Sequence, residues 1–226
     1  MADLTILYIT ASQLPVKFAS KQREILLEAA GEYPIFTVSR EPLEFGVKSY
    51  LDTEPKSLSN IYRQMLRVAK DIPTKFVAIA EDDCFYHKDH FRFHRPNPDT
   101  FAYDQNRLAL FTWGKPTYHW RNRKSNASLI APTNLLITAL EERFSKWPDG
   151  TPDKITGEMG RKMVENNMGI TRRKSEEVFC DVSMIQFNHE CSSEERQRNH
   201  KKSMGPIRAY DIPHWGKANH LIKHYE

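Results

Sequence analysis

Three consecutive acids, Glu81, Asp82 and Asp83, follow directly on the apolar run at residues 75–80 (KFVAIA). Carboxylates a few ångströms apart repel one another and raise each other's pKa, so a triplet of this kind is best tolerated where a cation completes it. Oxygen donors suit Mg²⁺ or Mn²⁺, which bind through one or two carboxylates together with phosphate oxygens. The chemistry implied is a divalent ion that bridges a diphosphate and acts as a Lewis acid on the leaving group. The plain alternative is a solvated turn in which Asp82 or Asp83 caps the next element. Position favours the functional reading, because ligands of open α/β sheets bind at the carboxyl ends of the strands.

The elements that must carry this triplet follow from hydrophobic pattern. Residues 4–10 (LTILYIT) are a short apolar, β-branched run, predicted as a buried strand. Ala11, Ser12 and Gln13 follow, then a helix over 20–30 with a stripe at Ile25, Leu26 and Ala29, stopped at Gly31. Residues 34–39 (PIFTVS) give a second strand. A β-α-β opening with short connections predicts an α/β domain with parallel strands. The clearest helix spans 57–72, where Leu58, Ile61, Met65, Ala69 and Ile72 recur at three- and four-residue spacing and Pro73 closes it. Further strands are predicted at 107–113, 128–130 and 178–187. Further helices are predicted at 133–147 and 152–166, the latter with a glycine-interrupted start. From His189 onward a polar, basic tail broken at Gly205-Pro206 is expected to fold over the main sheet.

The stretch SLSNIYRQMLRVAKDIPTKFVAIAEDD resembles the core of GT-A glycosyltransferases, in which a helix with a polar start leads to a strand that delivers an Asp-x-Asp-type motif. The likeness covers about the first half of the chain and thins beyond Trp113, on a count of elements. It implies a GT-A (Rossmann-like) mixed sheet flanked by helices with a C-terminal tail packed on it. It also implies one domain over 1–226, with a nucleotide-sugar-binding half at 1–105 and an acceptor-binding half at 106–226. The triplet here is E-D-D, a variant spacing. The resemblance implies Asp83 first and Glu81 second as ligands of Mn²⁺ or Mg²⁺, with Asp82 toward the sugar or ribose. It further implies that the loop Thr10, Ala11 and Ser12 touches the nucleotide, and that Arg23, Asn60 and Arg63 face base, ribose or phosphates. Arginine suits a diphosphate because its planar fork donates two hydrogen bonds; for Arg23 a surface salt bridge is an equal alternative.

GT-A enzymes often complete the metal shell with a C-terminal histidine; His189 ranks first here and His214 second, against ordinary packing histidines. An inverting transferase needs a carboxylate base, for which Glu158 (TGEMGRK) is the first candidate and Asp181 the rival. Glu158 is also explained as a first-turn acid stabilised by a helix dipole. From Gln105 to Leu140 there is no acid, while Arg107, Lys115, Arg121, Arg123 and Lys124 are interleaved with Trp113, Tyr118 and Trp120. With the clusters Arg172-Arg173-Lys174 and Lys201-Lys202, this pattern is similar to small phage-encoded transferases that glycosylate hydroxymethylated DNA bases. The alternative places the aromatics in the core and the cations in solvent.

The 226 residues, 39% hydrophobic and 27% charged with a net charge of +4, describe a soluble globular chain and exclude a disordered one. No run reaches the roughly 18 apolar residues that span a membrane. Cys84, Cys180 and Cys191 are odd in number and lack CxxC spacing, which points to a reducing, cytoplasmic setting (a host cytoplasm, were the chain phage-encoded). The expected activity is hexosyl or pentosyl transfer from a nucleotide-sugar, a UDP-sugar favoured, to an acceptor hydroxyl. The competing expectations are a saccharide-directed glycosyltransferase, a sugar nucleotidyltransferase and a non-catalytic nucleic-acid-binding module. The second of these usually carries a glycine-rich loop after the first strand, which ITASQLPVK lacks.

Overall fold

The computed structural model describes residues 2–189 and 208–225. Its first half alternates strands and helices: β1 (Leu4–Thr10), α1 (Val16–Ala30), β2 (Ile35–Ser39), β3 (Lys48–Leu51), α2 (Leu58–Ala69) and β4 (Phe76–Glu81). The chain then runs through β5 (Cys84–Phe85), β6 (Thr100–Asp104), β7 (Arg107–Phe111), β8 (Tyr118–Trp120), β9 (Leu129–Pro132) and α3 (Thr133–Lys146). It continues with α4 (Lys162–Met168), β10 (Lys174–Val178) and β11 (Met184–Asn188). After the undescribed residues come β12 (Arg208–Ala209), β13 (Asp211–Ile212), β14 (Gly216–Lys217) and a short helix, α5 (Ala218–Ile222).

Seven strands form a mixed sheet in the order β10-β6-β9-β4-β1-β2-β3. β1, β2, β3 and β4 run parallel, whereas β9 lies antiparallel between β4 and β6. From β1 the chain steps outward through β2 to β3, then returns to set β4 on the other side of β1. The strand order therefore reverses between β1 and β4, the place where open α/β sheets open a crevice. β1 is buried along its whole length, which explains its continuous apolar sequence. Leu7 and Ile9 face α2 and α3, with Tyr62, Met65, Val68, Leu136 and Leu140. Leu4, Ile6 and Tyr8 face α1 and the segment around Tyr86 and Phe91. α2 begins on Ser57, whose hydroxyl accepts a hydrogen bond from the Asn60 amide.

A smaller sheet, β12-β8-β7-β11-β5, packs beside the first. Phe18 of α1, Phe85, Leu110, Ile185 and Phe187 form its core, and Ala218 and Leu221 of α5 close it. The described part of the tail thus joins the molecule through this sheet, with β12 paired to β8.

Two expected elements differ. The strand at 178–187 is two strands in different sheets, because residues 180–183 are turned aside by side chains: Asp104 accepts from the Cys180 amide, Asn106 donates to the Cys180 carbonyl and Ser183 donates to Asn106. The helix at 152–166 forms only from Lys162 to Met168. The preceding loop includes Gly160 at φ +72, where an added Cβ would stand 2.6 Å from Cβ of Ser175. The strands β3, β6 and β8 do not stand out in the hydrophobic pattern. Among the described residues no helix is long and apolar enough to cross a membrane.

Candidate active site at the reversal of strand order

The acidic triplet is the corner at which the chain leaves one sheet for the other: β4 ends at Glu81 and β5 begins at Cys84. Its backbone is held from three sides. Gln22 of α1 donates to the carbonyls of Glu81 (3.3 Å) and Cys84 (3.0 Å). The Glu81 amide donates to the Tyr86 hydroxyl, and the Phe187 amide donates to the Asp83 carbonyl at 2.8 Å.

The three side chains have different surroundings. Asp82 turns toward the end of β1, accepting from Thr10 Oγ1 at 2.6 Å and from the Ala11 amide at 3.2 Å. Desolvation, then the charge of Asp83, pushes its pKa up to about 7. Asp83 accepts from Gln186 Nε2 at 3.2 Å and from the Cys84 thiol at 3.1 Å. Ligand atoms of Glu81, Asp83 and Cys84 all lie within 4.8 Å of one another. Burial, reinforced by Asp83 and Glu81, raises the Cys84 thiol well above its ordinary value, so it stays protonated and the donors on offer are carboxylate oxygens. That set fits a hard divalent ion such as Mg²⁺ or Mn²⁺ better than a thiolate-bound metal.

A cleft of about 600 Å³ opens over this corner. Thr10, Ala11, Asn60, Glu81, Asp82, Asp83, Glu158 and His189 all line it. His189 is buried; desolvation lowers its pKa, while the nearby Asp83 acts in the opposite sense. Glu158 also lines the cleft and accepts from Arg161 at 2.5 Å. It lies in the loop before α4 rather than in a helix's first turn. Ser12, with φ +55, donates its amide to Thr10 Oγ1, so it shapes the β1 loop from behind.

Four expected site residues stand elsewhere. Arg63 points away from the cleft, over the Phe144 ring at 4.5 Å and onto the Pro148 carbonyl, because its place on α2 faces α3. Arg23 bonds Ser20 on its own helix and does not line the cleft. Asp181 lies exposed in the bend between β10 and β11. His214 stacks edge-on with His87 and Trp215, beside the β13–β14 hairpin. The acid-free stretch is no continuous basic groove either. Arg107 and Arg121 are buried, Tyr118 is core, and Trp120 donates to the Gln105 carbonyl. Arg173 and Lys174 are paired with Glu142 and Asp99, and Lys201-Lys202 lie outside the described residues.

Sequence reasoning missed Arg40, Lys56 and Gln186, which line the cleft, and named Arg123 only for a polyanionic acceptor, although it lines the same cleft. Two of them carried a signal. Arg40 follows the apolar strand PIFTVS, so the strand-end rule applied to Glu81 would have found it, and Gln186 is the lone polar residue of MIQF.

No family model matches the chain, and no curated protein matches it. Among solved structures it is similar to a glycosyltransferase involved in the glycosylation of the major capsid of PBCV-1, with 11% identity, a TM-score of 0.46, and 87% of this chain and 98% of that one covered. It is likewise similar to 2-C-methyl-D-erythritol 4-phosphate cytidylyltransferase from Thermus thermophilus, with 11% identity, a TM-score of 0.48, and 87% and 100% covered. The glycosyltransferase GlyE of Streptococcus pneumoniae matches at 10% identity and TM-score 0.42; 76% of this chain is covered, spanning 44% of that protein. At these scores the likeness is one of outline, and the function must be argued from the site.

Proposed function

We propose that this chain is a metal-dependent glycosyltransferase that moves a sugar from a nucleotide-sugar to an acceptor hydroxyl. One observation carries the reading: Glu81 and Asp83 converge at the end of β4, in a cleft at the strand-order reversal that also presents Arg40, Lys56 and Arg123. Carboxylates for a divalent ion and cations for a diphosphate are the pair of features a nucleotide-sugar requires. Asp83 and Glu81 would hold the ion, with His189 beside them. Held there, such an ion would supply charge neutralisation to the departing nucleoside diphosphate. Thr10 and Ala11 orient Asp82 toward a sugar or ribose hydroxyl, and Asn60 lies on the nucleotide side. Glu158 is the base that takes the acceptor proton, its carboxylate aimed by Arg161.

A UDP-sugar is the first donor to test. A hydroxymethylated DNA base is the first acceptor, now resting on the exposed Lys56 and Arg123 rather than on a long basic groove. Thermal shift with UDP, GDP and their sugars, with and without Mn²⁺, tests the donor, since a ligand selective for the native state raises apparent stability. Stabilisation that needs both metal and nucleotide is the expected result. Stabilisation by CTP and a sugar phosphate instead would mark a nucleotidyltransferase; DNA binding with no nucleotide response would mark a binding module. Nucleoside mass analysis after incubation with modified and plain DNA tests the acceptor, and a saccharide hydroxyl is the alternative if neither gains a sugar.

A further inference from the structure

Behind the acidic corner stands a fully buried cation. Arg107, at the start of β7, is 0% exposed. One arm of its guanidinium donates to Gln186 Oε1, and the other donates to the Arg123 carbonyl at 2.9 Å. Gln186 in turn donates its Nε2 to Asp83 Oδ2 at 3.2 Å. The sheet explains the row. β7 and β11 are parallel with Gln186 opposite Ala109, so Arg107, two residues earlier, points to the same face. β11 pairs antiparallel with β5, setting Gln186 opposite Cys84, next to Asp83.

We infer that Arg107 and Gln186 are positioning residues that orient the Asp83 carboxylate for the divalent ion, an inference that rests on the function proposed above. A glutamine side chain has one acceptor and two donors, and rotation of its amide decides which end meets Asp83. Arg107 offers only donors, so it claims Oε1 and turns Nε2 toward the carboxylate. Nε2 engages Oδ2 while the Cys84 thiol engages Oδ1, so both oxygens are oriented before any ion arrives. The buried guanidinium also lies close enough to Glu81, Asp83 and Glu158 for their charges to bear on it, and so offsets part of the repulsion among these carboxylates. Outer partners of metal-binding carboxylates commonly set affinity in this way, and losing one costs about 10–100-fold in metal affinity or activity.

Gln186→Met keeps the length and volume of the side chain while removing both hydrogen bonds. The test is the dissociation constant of Mn²⁺ at saturating nucleotide, read from the free-ion electron paramagnetic resonance signal, together with transfer rates across a Mn²⁺ series. The expected result is Mn²⁺ binding weakened about tenfold or more, with kcat restored at saturating Mn²⁺. An unchanged Mn²⁺ affinity overturns the inference, as does a loss of rate that is equal at every Mn²⁺ concentration, which is the mark of general structural damage. If Gln186→Met does not fold, Arg107→Lys decides: it keeps a cation but cannot reach Gln186 and the Arg123 carbonyl together. A smaller weakening of Mn²⁺ binding in that variant supports the relay; none overturns it. Wild-type protein that binds nucleotide-sugar and Mn²⁺ while both variants match it sinks only the relay. Wild-type protein that binds no Mn²⁺ with any nucleotide sinks the proposed function with it.

Discussion

The two walls of the cleft are built on opposite terms. On one, Glu81, Asp82 and Asp83 are fixed by a backbone bonded to α1, to Tyr86 and to β11, so neighbouring carboxylates cannot move apart to relieve their repulsion. On the other, Glu158 rides a loop between Thr151 and Arg161 that is irregular yet locally satisfied. Arg143 donates to the Gly157 carbonyl, Tyr103 donates to the Met159 carbonyl, Glu165 accepts from the Gly160 amide, and Arg161 pairs with Glu158 itself. The first wall has a rigid frame and an excess of negative charge; the second has a balanced charge and a less regular frame. Losing an acid should therefore cost stability at the second wall and little at the first, although the proposed function needs both.

The widest separation is expected at Asp83. Asp83→Ala should lower metal-dependent transfer roughly a thousandfold, in keeping with the several kcal/mol of charge stabilisation a metal provides. The melting temperature without metal should stay about level, because the relief of repulsion with Glu81 and Asp82 is set against the partner lost by the buried Arg107 and by Gln186. Transfer assays beside a Mn²⁺ melting series check both halves, and full activity in the variant would remove Asp83 from the metal site.

Glu158→Gln is the matching experiment on the other wall. Loss of a general base is expected to lower kcat by about 10²–10⁴-fold. Nucleotide and Mn²⁺ binding should be unchanged, since the proposed function assigns both to the acidic corner and its neighbours. The amide no longer balances Arg161, so the melting temperature should fall slightly rather than rise. An unaltered kcat would mean that this wall shapes the acceptor site without taking its proton.

The same contrast decides what can be read from sequence. β1, α1, β2, α2 and β4 each show an apolar run or a helical stripe of their own, so the frame of the acidic corner and its triplet are legible in the residues alone. β8 (YHW) is too short to show a period, and the place of both β8 and β6 (TFAYD) depends on partners distant in the chain. Arg63 is misjudged from sequence because helical spacing gives a face but not which neighbour covers it; α3 takes that face here. The acceptor half misleads for a related reason. Basic residues such as Arg107 and Arg121 are read as surface by type, yet the smaller sheet buries both.

Asp82 offers a finer measure of the acidic wall. The folded chain pushes its pKa up to about 7, well above the ordinary carboxylate range, so folding favours the neutral carboxyl. That contribution to stability is fully present below the unfolded value and is lost as pH rises through about 7. Metal-free protein should accordingly melt higher at pH 6 than at pH 8, on that same shift. Asp82→Asn, which can still accept from Thr10 and Ala11, should raise the melting temperature at about pH 8 and flatten the slope. A wild-type slope of opposite sign would show that the corner is already compensated from within.

The smallest effect is expected at Arg63, which tests which face of α2 belongs to the cleft. Its guanidinium covers the Phe144 ring and bonds the Pro148 carbonyl, so it ties α2 to the end of α3 instead of facing the ligand. Arg63→Ala should cost about 0.5–1 kcal/mol, the size of an exposed cation–π contact. For a chain of this length that corresponds to a fall of up to about 4 °C in melting temperature. The KM for the donor should not change, because Leu58, Asn60, Ile61, Tyr62 and Gln64 of α2 line the cleft whereas Arg63 does not. A raised donor KM with unchanged stability would reverse both statements and add Arg63 to the residues through which α2, between Leu58 and Gln64, faces the cleft.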